Sequence, residues 1–177
     1  EPLAGASPFG GEGLSVLSYV LERVPMSQYR TLPFNKLSPE ELGHVAAQWL
    51  EQDRRQEAVA LLEPLLANAD QLDARHEYAF DVLCDAYLEL DHPIKRMRLV
   101  QSLMQAPDRA LKSAAMHRRC SMLADEGEYP AAWKLFKEAQ RADPDHPSLA
   151  HLEVTLLISQ GEVGKAQERA RFWAVRL

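Results

Sequence analysis

The feature that most constrains this chain is a regularly interrupted helical pattern. From Pro39 onward, apolar residues recur with the spacing of amphipathic helices, and helix-breaking residues follow every 12–20 positions. Seven breaks fall at Gln52-Asp53, Asn68-Ala69-Asp70, Asp91-His92-Pro93, Ala106-Pro107-Asp108, Glu126-Gly127, Asp143-Pro144 and Gln160-Gly161. No segment shows the alternation of apolar and polar residues that is typical of strands. The sequence therefore predicts an all-α protein with eight helices in this region.

The breaks themselves form a repeat. The turn at Gly127 corresponds to Gly161 and, earlier in the chain, to Asp53 and Asp91, so successive turns lie 38, 36 and 34 residues apart. Periods of about 20–50 residues are typical of arrays in which each repeat is one supersecondary unit. We expect four helix pairs, called repeats 1 to 4, over residues near 39–76, 77–112, 113–146 and 147–177.

Repeat 3 carries the clearest motif, Met116-x2-Arg119-Cys120-x2-Leu123, then Ala132-x3-Phe136, then Pro144. It resembles the tetratricopeptide repeat, whose pattern is Trp-x2-Leu-Gly-x2-Tyr, then Ala-x3-Phe, then Pro. The other repeats match in part, through Leu42-x2-Val45-Ala46-x2-Trp49 with Ala58-x3-Leu62, Phe80-x2-Leu83-Cys84-x2-Tyr87, and Ala150-x2-Glu153-Val154-x2-Leu157 with Ala166-x3-Ala170. The resemblance covers residues 39–177 and departs from the pattern at Arg96, Arg119 and Glu153. The last two are candidates to pair with each other.

The resemblance implies an α-solenoid of four antiparallel helix pairs in a right-handed superhelix. A looser solenoid of helix pairs is the alternative, since it obeys the same packing rules. Ala46, Cys84, Cys120 and Val154 occupy the small site at which the helices of a pair approach each other, so we expect both cysteines to be buried thiols. Before the repeats, we expect a flexible lead over residues 1–13, then an extra N-terminal helix and a connector over residues 14–38.

The resemblance also implies a concave groove, lined by the first helix of each pair, that binds another protein or peptide. The candidate groove contacts are Glu40, Leu50, Glu51, Tyr78, Asp81, Asp85, Leu88, Glu89, His117, Asp125 and His151. These eleven residues include six acids and no Lys or Arg, so we expect a basic partner segment with an apolar anchor. A solvated acidic wall without a ligand is the alternative.

The last helix carries an apolar set that is too wide for one face: Phe172, Trp173, Val175 and Leu177. One side of a helix can pack inward, and the remaining apolar residues then need another cover. We expect a second copy, another partner or further residues to cover this end. The second hypothesis is a structural subunit that self-associates through the ends of the solenoid, with the C-terminal end as the candidate contact of a homo-oligomer.

Other function classes find little support in the sequence. No phosphate-binding loop, His-Glu-x-x-His motif or Gly-x-Ser-x-Gly elbow is present, so we expect neither an enzyme nor a cofactor. Asp81, His117 and His151 stand at equivalent positions of adjacent repeats and could together bind a metal ion. We favour the alternative, in which the three side chains are solvated and do not converge. The net charge of −6 argues against nucleic acid binding, and no apolar run is long enough for membrane insertion. The compartment stays open, with the cytoplasm favoured.

Overall fold

All regular secondary structure in the described part of the chain is helical, which confirms the all-α prediction. The structure is a computed structural model that describes residues 36–176. The predicted lead, N-terminal helix and most of the connector lie outside the described residues, as does Leu177.

Eight α-helices span the described residues, and the predicted breaks fall between them, except that Pro93 is the first residue of the fourth helix. They are α1 (Pro39–Glu51), α2 (Arg55–Leu65), α3 (Glu77–Glu89), α4 (Pro93–Leu103), α5 (Arg109–Asp125), α6 (Tyr129–Ala142), α7 (Leu149–Ser159) and α8 (Val163–Ala174). Two short 3-10 turns, Ala69–Gln71 and Ala74–His76, connect α2 to α3.

Helix α1 begins at a capping box. The Ser38 hydroxyl accepts the backbone N–H of Glu41 at 3.2 Å, and the Glu41 carboxylate accepts the N–H of Ser38 at 3.1 Å. Pro39 takes the first helical position, where its missing N–H costs nothing. The local sequence therefore sets the start of α1 at Pro39.

The four turns inside the repeats share one backbone geometry. Each follows the first helix of a repeat and places one residue in the left-handed region: Asp53, Asp91, Gly127 and Gly161, with φ of 60°, 54°, 79° and 82°. In each turn the N–H of the next residue donates to a carbonyl five residues earlier, at 2.8 or 2.9 Å. The left-handed residue donates to the carbonyl three residues before it, at 2.9 to 3.2 Å. This pair of bonds is the Schellman motif, and it satisfies helix-end carbonyls.

The helices fall into two compact units, divided between Leu99 and Val100 within α4. In the N-terminal unit, α1 packs against α2 and α3, and α2 also packs against α3. The most deeply buried apolar positions of these helices are Val45, Ala46, Ala58, Leu62, Ala79, Phe80, Leu83 and Ala86.

In the C-terminal unit, α5 with α6 and α7 with α8 form two helical hairpins, and α5 also packs against α7. One cluster of buried residues joins the hairpins: Cys120, Ala124, Ala132, Phe136, Leu149, Leu152 and Leu156. Three of the four predicted small packing sites, Ala46, Cys84 and Cys120, are buried, whereas Val154 is only half-buried.

The candidate pairing of Arg119 with Glu153 is wrong. Arg119 lies 3.5 Å from Glu126 at the end of its own helix. Glu153 instead accepts hydrogen bonds from Arg169 and from the indole of Trp173, both on α8. The carboxylate therefore faces its own hairpin partner, so it ties α7 to α8.

Candidate functional site

The first helices of repeats 1 and 2 carry a one-sided charge. Together α1 and α3 contain seven acids and no Lys or Arg, and they pack side by side. The predicted contacts Glu40, Glu51, Tyr78, Asp85, Leu88 and Glu89 are exposed, while Leu50 and Asp81 are half-buried. The N-terminal unit therefore presents a set of acidic and apolar side chains. We call the residues Glu40, Leu50, Glu51, Tyr78, Asp81, Asp85 and Leu88 the α1–α3 face.

Tyr78 reports the electrostatics of this face. Its side chain is 37% exposed, and its ring centroid lies 4.4 Å from that of His44 on α1. Partial burial raises the pKa of the Tyr78 phenol, and the negative charges of Glu51, Asp85 and Asp81 raise it further. Acids of both helices thus act on one hydroxyl, so the potential around Tyr78 is negative.

Gly43 sets the distance between the two helices. A Cβ at this position would lie 2.8 Å from Cδ1 of Tyr78 and 3.1 Å from the backbone nitrogen of Ala79. Real Cβ atoms do not approach other atoms so closely, so a side chain at position 43 would push α3 or the Tyr78 ring away. Glycine here holds the tyrosine ring against α1.

A shallow pocket of about 300 Å³ lies at one end of the face. Its lining residues are Glu40, Ala74, Arg75, Glu77, Tyr78 and Asp81. Arg75 was missed by sequence reasoning because it lies in a 3-10 turn between repeats and not on a first helix. The signal was Asp73 followed three residues later by His76, an N-terminal capping pair that places this turn at the start of α3.

The Arg75 guanidinium is held by Asp73. Nε lies 3.1 Å and Nη2 2.9 Å from the carboxylate oxygens. Hydrogen bonds from Arg75 outweigh desolvation and lower the pKa of Asp73 to about 2. The cation in the pocket wall is therefore paired with a neighbouring carboxylate, while three further acids line the pocket.

Leu88 is the most exposed apolar residue of the face, at 60%. Glu89, beside it at the end of α3, accepts a hydrogen bond from Nε of Arg55 at 2.7 Å. This ion pair links the end of α3 to the start of α2. Glu89 therefore serves contacts within the unit and is not part of the α1–α3 face.

In the C-terminal unit, the three candidate groove residues lie in different environments. Asp125 and His151 are exposed, whereas His117 is only 8% exposed. The His117 Nε2 lies 3.3 Å from the Ser113 hydroxyl, and its ring centroid lies 4.5 Å from that of His146. His117 is covered by residues of the linker between α6 and α7, so it does not present an open contact surface.

The predicted end surface is partly covered by its own chain. The Phe172 ring has the guanidinium carbons of Arg169 and Arg176 at 3.9 and 3.5 Å from its centroid. The Trp173 indole donates to Glu153 at 3.0 Å, and both aromatic residues are half-buried. Val175 is 81% exposed. The apolar surface that remains is therefore narrower than the sequence suggests.

Residues 36–176 contain neither a metal-binding cluster nor a membrane-spanning helix. In that part of the chain no three His, Cys, Asp or Glu side chains form a metal-binding group, and none of the helices has both the length and the apolar content needed to span a bilayer. The sequence matches no protein-family model, and comparisons with curated proteins and with solved structures give no match.

Proposed function

We propose that this chain is a non-catalytic protein-interaction module whose α1–α3 face binds a basic, partly apolar segment of another protein. The observation that carries the proposal is charge: the α1–α3 face bears four acids, Glu40, Glu51, Asp81 and Asp85, and no Lys or Arg beside an exposed leucine and tyrosine. Surfaces with one sign of charge attract partners of the opposite sign and disfavour others.

We further propose that the four repeats are tetratricopeptide-type helix pairs wound in a right-handed superhelix. The motif resemblance supports this architecture, and so does the same Schellman turn at four equivalent positions. In such arrays the first helices supply the ligand-binding side, which is where the α1–α3 face lies in repeats 1 and 2. The proposed role needs no cofactor.

The chemistry of the face suggests how a segment would bind. A Lys or Arg side chain would enter the pocket beside Glu40 and Asp81, and an aliphatic side chain would pack on Leu88. Exposed ion pairs contribute about 0–1 kcal/mol each, so we expect modest affinity. Screening of these charges by salt would weaken binding further.

The test uses fluorescent synthetic peptides with alternating Lys and Leu, together with charge-reversed peptides in which Glu replaces Lys. The double variant Glu51→Gln, Leu88→Ala changes two exposed side chains of the face. We expect the full chain to bind only the Lys peptides, and the variant to bind them several-fold more weakly with a smaller salt dependence.

A matched control is Glu57→Gln with Ile94→Ala, which removes one exposed acid and one exposed apolar side chain outside the face. This control should bind like the unmodified chain. Equal binding of both peptide types, or equal loss in both double variants, would contradict the proposal.

Self-association through the C-terminal end is the second candidate function. It is favoured by Val175, which is 81% exposed beside the half-buried Phe172. Light scattering of the full chain and of Val175→Lys over a wide concentration range tests it. A dimer that the substitution dissociates would support this candidate, whereas a monomer at all concentrations would exclude it.

A further inference from the structure

Two buried histidines meet where the linker between α6 and α7 contacts α5. His117 lies on α5 and His146 in the linker, at 8% and 6% exposure, with ring centroids 4.5 Å apart in an edge-to-face arrangement. The α7–α8 hairpin follows this linker directly, so any change in the pair acts at the attachment of one hairpin to the other.

The surroundings of the ring nitrogens favour the neutral form of His117. His146 Nδ1 accepts the backbone N–H of Ser148 at 3.2 Å, at the start of α7, where Ser148 supplies no side-chain cap of its own. His117 places Nε2 at 3.3 Å from the Ser113 hydroxyl, and its buried Nδ1 has no hydrogen-bond partner. A proton on His117 would therefore leave a buried charge with no hydrogen-bond partner at Nδ1.

We propose that the His117–His146 pair makes the attachment of the α7–α8 hairpin to the α5–α6 hairpin pH-sensitive, so that mild acid opens the α7–α8 hairpin first. Opening moves the linker away, hydrates the His117 ring and lets it accept a proton without loss of buried contacts. The proposal goes beyond the binding role of the α1–α3 face, because it concerns repeats 3 and 4 only.

The charged groups around the pair have opposing effects on the pKa of His117. Burial lowers the pKa of His117 to about 4; the charge of His146 acts in the same direction, and that of Asp143 acts against it. Asp143 is itself engaged by Arg109 of α5, at 3.7 Å, so its carboxylate is shared. On α7, His151 is exposed and lies beside Thr155.

The sign of the pH effect follows from these values. An imidazole in the opened hairpin titrates near its ordinary pKa of about 6.5, so the opened form binds the proton first as the pH falls. The stability of the closed hairpin relative to the opened one is fully present above pH 6.5 and is lost progressively as the pH falls toward 4. For His117 alone, the opening equilibrium should rise about 25-fold between about pH 7 and about pH 5.

Hydrogen exchange of the full chain at these two pH values, corrected for intrinsic rates, tests the proposal. We expect residues 144–174 to lose protection by about this factor while α1 and α2 change little. The variant His117→Gln, His146→Asn keeps groups that can bond to Ser113 and Ser148 but cannot titrate. Its exchange in α7 and α8 should be nearly independent of pH.

The matched control, His92→Gln with His151→Asn, removes two exposed histidines and should keep the response of the unmodified chain. A loss of protection spread evenly over both units, or an unchanged response in the His117–His146 variant, would overturn the proposal. Should that variant fail to fold by circular dichroism, the proton resonance of His117 in the unmodified chain decides. A titration midpoint near pH 4 supports the proposed pH-sensitive attachment, and a midpoint above about pH 6 refutes it.

Discussion

At the scale of single residues, packing sites were easier to predict than exposed ones. Ala46, Cys84 and Cys120 are buried as the repeat pattern predicts, because a small residue between two large ones encodes close approach within a few positions of the chain. His117 occupies a position that the same pattern assigns to a groove, yet it is buried. Its cover is the linker residue His146, and no local period encodes a contact between segments so far apart.

Gly43 gives the sharpest prediction at this scale. Gly43→Ala places a methyl group within 2.8 Å of the Tyr78 ring and 3.1 Å of the α3 backbone. We expect it to lower the free energy of unfolding by about 1–3 kcal/mol, since overpacking shifts backbone as well as side chains. Urea unfolding followed by circular dichroism measures the change.

Gly164→Ala in α8 is the control, because a Cβ at position 164 meets nothing within 4 Å. Alanine there should stabilise the helix by up to about 1 kcal/mol. Equal effects of the two substitutions would show that the approach of α1 to α3 does not limit stability.

Glu153 supports a second prediction. The residue is 9% exposed and its carboxylate serves both Arg169 and Trp173, so Glu153→Ala leaves two α8 donors without their acceptor. We expect a loss of about 1–3 kcal/mol and a red shift in Trp173 fluorescence. Glu168→Ala, at an exposed α8 position, should change neither measurement.

At the scale of elements, the sequence predicted all seven breaks, because Gly, Pro and Asp act through local backbone geometry. It could not show that the turns at Asp53 and Asp91 adopt the same left-handed geometry as those at Gly127 and Gly161. An L-residue there is strained by contact between its Cβ and the backbone. The N-terminal unit carries this strain in both turns, and the C-terminal unit carries it in neither.

This difference predicts that introducing glycine at one turn and removing it from another have opposite effects on stability. Asp91→Gly should stabilise the chain by up to about 1 kcal/mol, and Gly127→Ala should destabilise it by about 1–2 kcal/mol. Thermal unfolding of the two variants measures both effects. A stabilising Gly127→Ala would mean that the turn can leave the left-handed geometry without penalty.

At the scale of the whole chain, charge is unevenly divided. Residues 1–99 contain sixteen acids and nine Lys or Arg, whereas residues 100–177 contain ten acids and eleven Lys or Arg. The acidity of α1 and α3 could be predicted because charged side chains are rarely buried. The pocket beside Arg75 could not be predicted, since it requires the 3-10 turn before α3 to approach both α1 and α3.

The chain contains one cysteine in each unit, and both are deeply buried. Burial raises the pKa of the Cys120 thiol to about 12, so almost no thiolate is present at neutral pH. We expect an alkylating reagent to label each thiol only when its own unit opens. Mass spectrometry of peptides that carry Cys84 and Cys120 measures the two rates, and labelling of either site at the rate of an exposed thiol would contradict the expectation.

Cys84 and Cys120, which lie at the small packing sites between helices, can therefore report when their own unit opens. Alkylation is irreversible, so each opening that lasts long enough leaves a permanent mark on the half of the molecule that opened. A pulse of reagent applied inside cells, without any introduced label, would report which half is the weaker under stress. Binding of a ligand to one half would slow the marking of that half first.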